Sequence, residues 1–275
     1  MMTLTPQYDK AGIFRKGVLP YGDGPRCEAE YSAFSVSESP ETAVYFPEPP
    51  EYRGRKPPET PFPDWPVLGS VAAGILNAVP NPENVLFCAF RTPDWNAGLT
   101  PWPARTPFGE PDYSGKGALT GEFLETALIP EAENRNGTIR KRYFAGYSLG
   151  GLFAVWILAE KNIFAGAAAV SPSLWYPGFR EYILPRARDL TGDLYLSLGT
   201  LERRSRNKYL RPCGKNCDDL FRAALNRPGF RTIFENTPGG HFDHPEGRLF
   251  RGISFLLQTV HPEEAGLPRA FGKSG

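Results

Sequence analysis

The chain has 275 residues, with 31 Lys and Arg against 30 Asp and Glu, for a formal net charge of +1. That balance gives no general electrostatic reason to expect nucleic acid or an anionic membrane as a partner, and no apolar run approaches the roughly 18 residues of a membrane span. The first ten residues, Met1 to Lys10, lack the apolar stretch of a signal peptide, and the four cysteines read as reduced and structural, so the expected location is cytoplasmic.

The length suits one α/β domain spanning 1–275, whose N-terminal part, to about residue 80, is irregular and proline-rich. Within it, 28–36 and 42–46 read as strands. Prolines and charges between Pro47 and Pro66 predict a loop, and 68–77 a short helix. Beyond that point the alternation is regular. Strand 84–90 leads into a loop rich in Trp, Pro and Thr, then a helix over 120–133, strand 141–145 and a helix after Ser148. Strand 166–171, helix 178–188 and strand 193–198 follow, then helix 218–225, strand 231–234 and a closing helix over 248–257. Such alternation predicts a mostly parallel sheet with helices on both faces, and ligands collecting beyond the carboxyl ends of its strands.

Gly146-Tyr147-Ser148-Leu149-Gly150 falls where a strand runs into a helix. A serine hydroxyl is a useful nucleophile when it is held exposed beside a base and beside N–H groups that can stabilise an oxyanion. A sharp strand-to-helix turn provides all three, and crowds the backbone so that the positions two before and two after must be very small. The N–H of Leu149, which opens the helix, is the expected oxyanion donor. A second donor normally comes from the loop after an earlier strand; here that loop is the proline-rich stretch after Phe46, and the donor stays unassigned.

Only three histidines are present. His261 lies in a tail rich in Gly, Pro and charge. His241 follows the last strand through Thr237-Pro238-Gly239-Gly240, where a base for Ser148 belongs, and two glycines let the backbone approach closely. His244 is the alternative. His241, Asp243 and His244 lack a third cluster of ligands, so no metal and no cofactor is expected. The acid should follow the penultimate strand, which continues into Gly199-Thr200-Leu201-Glu202, making Glu202 the leading candidate. A solvated Glu202 paired with Arg203 or Arg204 is the competing reading, with Asp218, Asp219 or no acid at all as alternatives. Tyr147 reads as a packing residue.

Three loop tryptophans, Trp95, Trp102 and Trp175, suit the wall of a pocket for an aryl ester, or serve as core filler. Arg203, Arg204 and Arg206 suit either an anionic substrate or a solvated basic loop. Cys88 lies in an apolar strand, while Cys213 and Cys217 are four apart on one helical face.

These residues give the chain a family resemblance. From about Asn84 to Leu257 it resembles the esterase family that includes esterase D-like enzymes and the enterochelin (siderophore trilactone) esterases. The marks are Arg91 to Trp102, with Leu99-Thr100-Pro101-Trp102 at its end; the elbow Gly146 to Ala154; Ser171-Pro172-Ser173-Leu174-Trp175; Gly199 to Glu202; and Gly239-Gly240-His241-Phe242. The resemblance implies an α/β-hydrolase fold and hydrolysis of a small-molecule ester, of siderophore or aryl type, through Ser148 and His241. It also admits acyl transfer to another alcohol, or a non-catalytic ligand binder on the same scaffold. Trp102, Trp175 and Arg203 are the residues expected to contact substrate. Nothing in the sequence sets the oligomeric state.

Overall fold

The computed structural model describes residues 13–22, 27–49, 66–78, 82–109, 112–134 and 138–258. Six strands run parallel: β3 (Thr42–Pro47), β4 (Val85–Arg91), β5 (Lys141–Tyr147), β6 (Gly166–Val170), β7 (Asp193–Gly199) and β8 (Thr232–Thr237). Most are nearly continuous apolar runs, as strands covered on both faces must be; Val85 to Phe90 are all buried. Two antiparallel strands, β1 (Ile13–Pro20) and β2 (Glu28–Ser35), extend one edge, giving the order β1-β2-β4-β3-β5-β6-β7-β8.

Because side chains alternate across a strand, neighbouring residues feed opposite cores. Phe144, Ala43 and Tyr45 join one, together with Leu152 and Phe153. Tyr143, Ala145, Val44 and Phe46 join the other, beneath α1 (Pro66–Ala78) and α8 (Pro245–Leu257). Against the first face lie α2 (Trp95–Gly98), α3 (Gly117–Phe123), α4 (Ile129–Glu133), α5 (Leu149–Glu160), α6 (Phe179–Arg186) and α7 (Pro212–Ala224). Helix α5 is buried from Leu149 through Leu158, which is why its sequence is apolar on all sides and shows no polar face.

Several elements differ from the sequence expectation. Strand β1 is unforeseen: it is an edge strand with β2 as its partner, and its apolar residues do not alternate with period two. The helix expected over 120–133 starts at Gly117 and widens into a π turn over Leu124–Leu128, just ahead of Pro130, which has no N–H to continue the ladder. Helices α7 and α8 begin at Pro212 and Pro245, each with proline at an N-terminal position where its missing N–H has no consequence. The earlier start of α8 puts Arg248 in its opening turns. Most of the 47–66 loop, and His261, lie outside the described residues. All four cysteines are free thiols, with Cys88, Cys213 and Cys217 buried. No helix among the described residues is long and apolar enough to cross a membrane.

Candidate active site

Ser148 stands between β5 and α5 with φ 58° and ψ −118°, a backbone conformation that a non-glycine residue holds only under constraint from its surroundings. The constraint is visible. Its N–H donates to Val170 O at 3.0 Å, and its carbonyl accepts from Leu152 and Ser173 N–H, each at 3.0 Å. The flanking glycines are a steric requirement: a Cβ on Gly146 would lie 2.0 Å from the Gly150 carbonyl oxygen.

The loops after β7 and β8 are joined by backbone hydrogen bonds, Thr200 N–H to Thr237 O at 2.9 Å and Leu201 N–H to Gly239 O at 3.0 Å. That junction sets Glu202 beside the histidine loop. His241 Nε2 lies 3.0 Å from Ser148 Oγ, and His241 Nδ1 lies 2.6 Å from Glu202 Oε2. His244 is instead exposed, opening α8 with φ 53°. Asp218 and Asp219 pair with Arg203 and with Arg180 and Lys215.

Glu202 is largely buried, and its carboxylate is ringed by hydrogen-bond donors. Oε1 accepts from Gly199 N–H at 2.8 Å, Ser171 Oγ–H at 2.8 Å and Arg248 Nη1 at 3.1 Å. Burial pushes the carboxyl up. The hydrogen bond and charge of His241, with the Gly199 N–H and the Ser171 hydroxyl, outweigh burial and hold it below its usual value.

Two contributors lie outside the expected set. Arg248, buried in α8, donates to Glu202, to Ser171 Oγ and to the carbonyls of Pro238 and Gly240. An arginine inside the otherwise apolar period of α8 was the available sequence signal. Tyr147, expected only to pack, donates its hydroxyl to the His241 carbonyl. Burial pushes that phenol up, which keeps it a donor. Ser173 Oγ lies 3.4 Å from Ser148 Oγ.

Leu149 N–H opens α5, where the first N–H groups have no partner within the helix. The described start of the loop after β3 supplies no second donor: Pro47 and Pro49 lack an N–H, and that of Glu48 is bound to Phe90 O at 2.8 Å.

The residues expected to contact substrate are placed differently from one another. Trp175 is half-buried, edge-on to Phe108 at 5.7 Å between centroids, and two residues from Ser173. Trp102 packs among Tyr176, Phe179 and Tyr182 and donates Nε1–H to Pro177 O at 2.9 Å. Arg203 makes a two-pronged pair with Asp218, at 2.7 and 2.9 Å, and its guanidinium stacks over the Phe234 ring. Its charge is paired within the chain. Trp95 reaches the elbow: a Cβ on Gly150 would lie 3.7 Å from its ring and 3.0 Å from the Pro47 ring.

The sequence matches no protein-family model, and no curated protein matches it. Solved structures do. The siderophore hydrolase EstA from Aspergillus nidulans superposes with a TM-score of 0.68 at 19% identity, covering 89% of this chain and 94% of that one. An IroE-like serine hydrolase from Shewanella oneidensis gives 0.66 at 17% identity, covering 89% and 80%. The BES protein from Bacillus cereus gives 0.62 at 18% identity, covering 90% and 96%. The fold is that of the α/β-hydrolases.

Proposed function

We propose that the chain is a serine esterase that hydrolyses carboxylic esters through Ser148, His241 and Glu202. The observation that supports this reading is the unbroken row Ser148 Oγ, His241 Nε2, His241 Nδ1, Glu202 Oε2, at 3.0 and 2.6 Å, mounted on a constrained strand-to-helix turn.

Neutral His241 accepts the Ser148 proton at Nε2 as Oγ attacks the ester carbonyl carbon. The carbonyl electrons move onto oxygen, where Leu149 N–H donates to the oxyanion. Ionised Glu202 faces Nδ1–H, fixes that tautomer and stabilises the imidazolium. Collapse of the tetrahedral intermediate expels the alcohol, which takes the proton from Nε2. A water molecule, deprotonated by the same nitrogen, then attacks the acyl-serine, and a second collapse releases the carboxylic acid and restores Ser148.

The substrate class we propose is an aryl or siderophore-type ester. It is supported by the similarity to EstA and by the exposed Phe108 ring against half-buried Trp175, two residues from Ser173. Turnover of a p-nitrophenyl ester and of a catecholate trilactone tests it. Ser148→Ala should abolish turnover of both and leave the melting temperature nearly unchanged. A wild-type protein that neither turns over these esters nor labels with a fluorophosphonate would overturn the reading in favour of a ligand binder.

A further inference from the structure

The guanidinium of Arg248 is a buried cation that no step above uses. Its side chain is 4% exposed, yet it touches three separate loops at the carboxyl end of the sheet. Nη1 lies 2.9 Å from Ser171 Oγ after β6 and 3.1 Å from Glu202 Oε1 after β7. Nη2 donates to the carbonyls of Pro238 and Gly240 after β8, both at 2.9 Å. Tyr147 Oη lies 3.5 Å from Nη1. Burying a cation is costly unless it is paired and hydrogen-bonded; here Glu202 pairs it and both terminal nitrogens are bound. A planar fork of five donors reaches such a spread of acceptors; an ammonium does not.

We propose that Arg248 is a positioning residue for the ester hydrolysis, holding acid and base in register and setting the pH at which their pair takes up a proton. The proposal rests on the serine-esterase reading. By occupying Oε1 it leaves Oε2 to face His241 Nδ1. By gripping the carbonyls of Pro238 and Gly240 it fixes the backbone that delivers the imidazole, while Tyr147 secures the His241 carbonyl from the other side. Its charge, 3.1 Å from Oε1, also opposes proton uptake by the Glu202–His241 pair. Two other charged groups on these loops hold partners of their own. Asp243 accepts from Gly240 N–H at 2.7 Å, and Arg203 pairs with Asp218.

Two variants separate charge from grip. Arg248→Met removes both, and Arg248→Lys keeps the charge but cannot span the same acceptors. Each is measured with wild type for kcat and KM on a p-nitrophenyl ester across the imidazole titration range, and for the His241 titration by NMR. In Arg248→Met, kcat should fall about 100-fold with KM nearly unchanged. The acid limb of kcat/KM and the imidazole titration should both move up by about one pH unit. Arg248→Lys should return both to their wild-type position while kcat stays about tenfold low. A merely structural arginine would lower the melting temperature and leave the limb in place, and that result overturns the proposal. If Arg248→Met does not fold, wild-type kcat in Arg248→Lys overturns it. Loss of the esterase reading registers separately, as wild-type protein without Ser148-dependent turnover. The NMR titration still decides Arg248 in that case, and an unshifted imidazole in Arg248→Met counts against it.

Discussion

Glu202 divides its carboxylate between two donors: Oε2 lies 2.6 Å from His241 Nδ1, and Oε1 lies 3.1 Å from Arg248 Nη1. Oε1 also takes the Gly199 N–H and the Ser171 hydroxyl, so its surroundings consist of donors. This asymmetry fixes what an amide would do there. In Glu202→Gln the NH₂ group is repelled from the donor side and must face Nδ1, which then has to accept. The imidazole proton moves to Nε2, the wrong nitrogen for deprotonating Ser148. We expect kcat to fall by about 10³- to 10⁴-fold with little change in KM. Activity within tenfold of wild type would remove Glu202 from the mechanism.

The two glycines before His241 are not equivalent. Gly239 has φ +93°, and a Cβ there would lie 2.6 Å from Asp243 Oδ2. At Gly240 the nearest atom to an added Cβ is 3.7 Å away, an ordinary contact. Gly239→Ala should therefore destabilise the protein by at least about 1 kcal/mol and reduce kcat by displacing His241. Gly240→Ala should stay within about 0.5 kcal/mol of wild type. Chemical denaturation of both variants gives the comparison, and equal losses would contradict it.

That difference illustrates what could be read along the chain. Gly239 and Gly240 look alike in sequence because positive φ is a property of the folded turn. Residues whose position follows from strand order were legible: Ser148 by its glycines, His241 and Glu202 by the strands they follow. Arg248 was not, because its role depends on α8 meeting Ser171 and Glu202, 77 and 46 positions away in sequence. Nor was the commitment of Arg203 to Asp218, a contact between side chains fifteen positions apart. Strand β1 escaped notice because an edge strand is specified by its pairing to β2 more than by its own pattern.

The backbone of Ser148 carries a testable cost. At φ 58° and ψ −118° a side chain is disfavoured and glycine is not. Ser148→Ala removes the hydroxyl but keeps the Cβ; Ser148→Gly removes both. We expect both variants to be inactive, with Ser148→Gly the more stable by about 1 kcal/mol. Differential scanning calorimetry of the pair reads this directly. A Ser148→Gly protein less stable than Ser148→Ala would mean that the turn is relaxed.

Glu48, at the end of β3, is fully buried beside the start of α1. Its Oε1 accepts from Val67 N–H at 2.9 Å, while Oε2 has no hydrogen-bond partner among the described residues. Burial pushes this carboxyl up to about 7, against the weaker pull of the Val67 N–H and the Arg91 charge. The unfolded chain ionises Glu48 near the ordinary value of about 4.3. Between those two values the folded state binds the proton more tightly, so stability falls as pH rises through the window and levels off above it. Glu48→Gln keeps an acceptor for Val67 and cannot ionise. Its melting temperature relative to wild type should therefore climb from about pH 5 to about pH 8, by the equivalent of at most about 3 kcal/mol. Parallel melting curves across that range would show that Glu48 already ionises at the ordinary value in the folded protein, and that something other than Val67 and Arg91 satisfies its second oxygen.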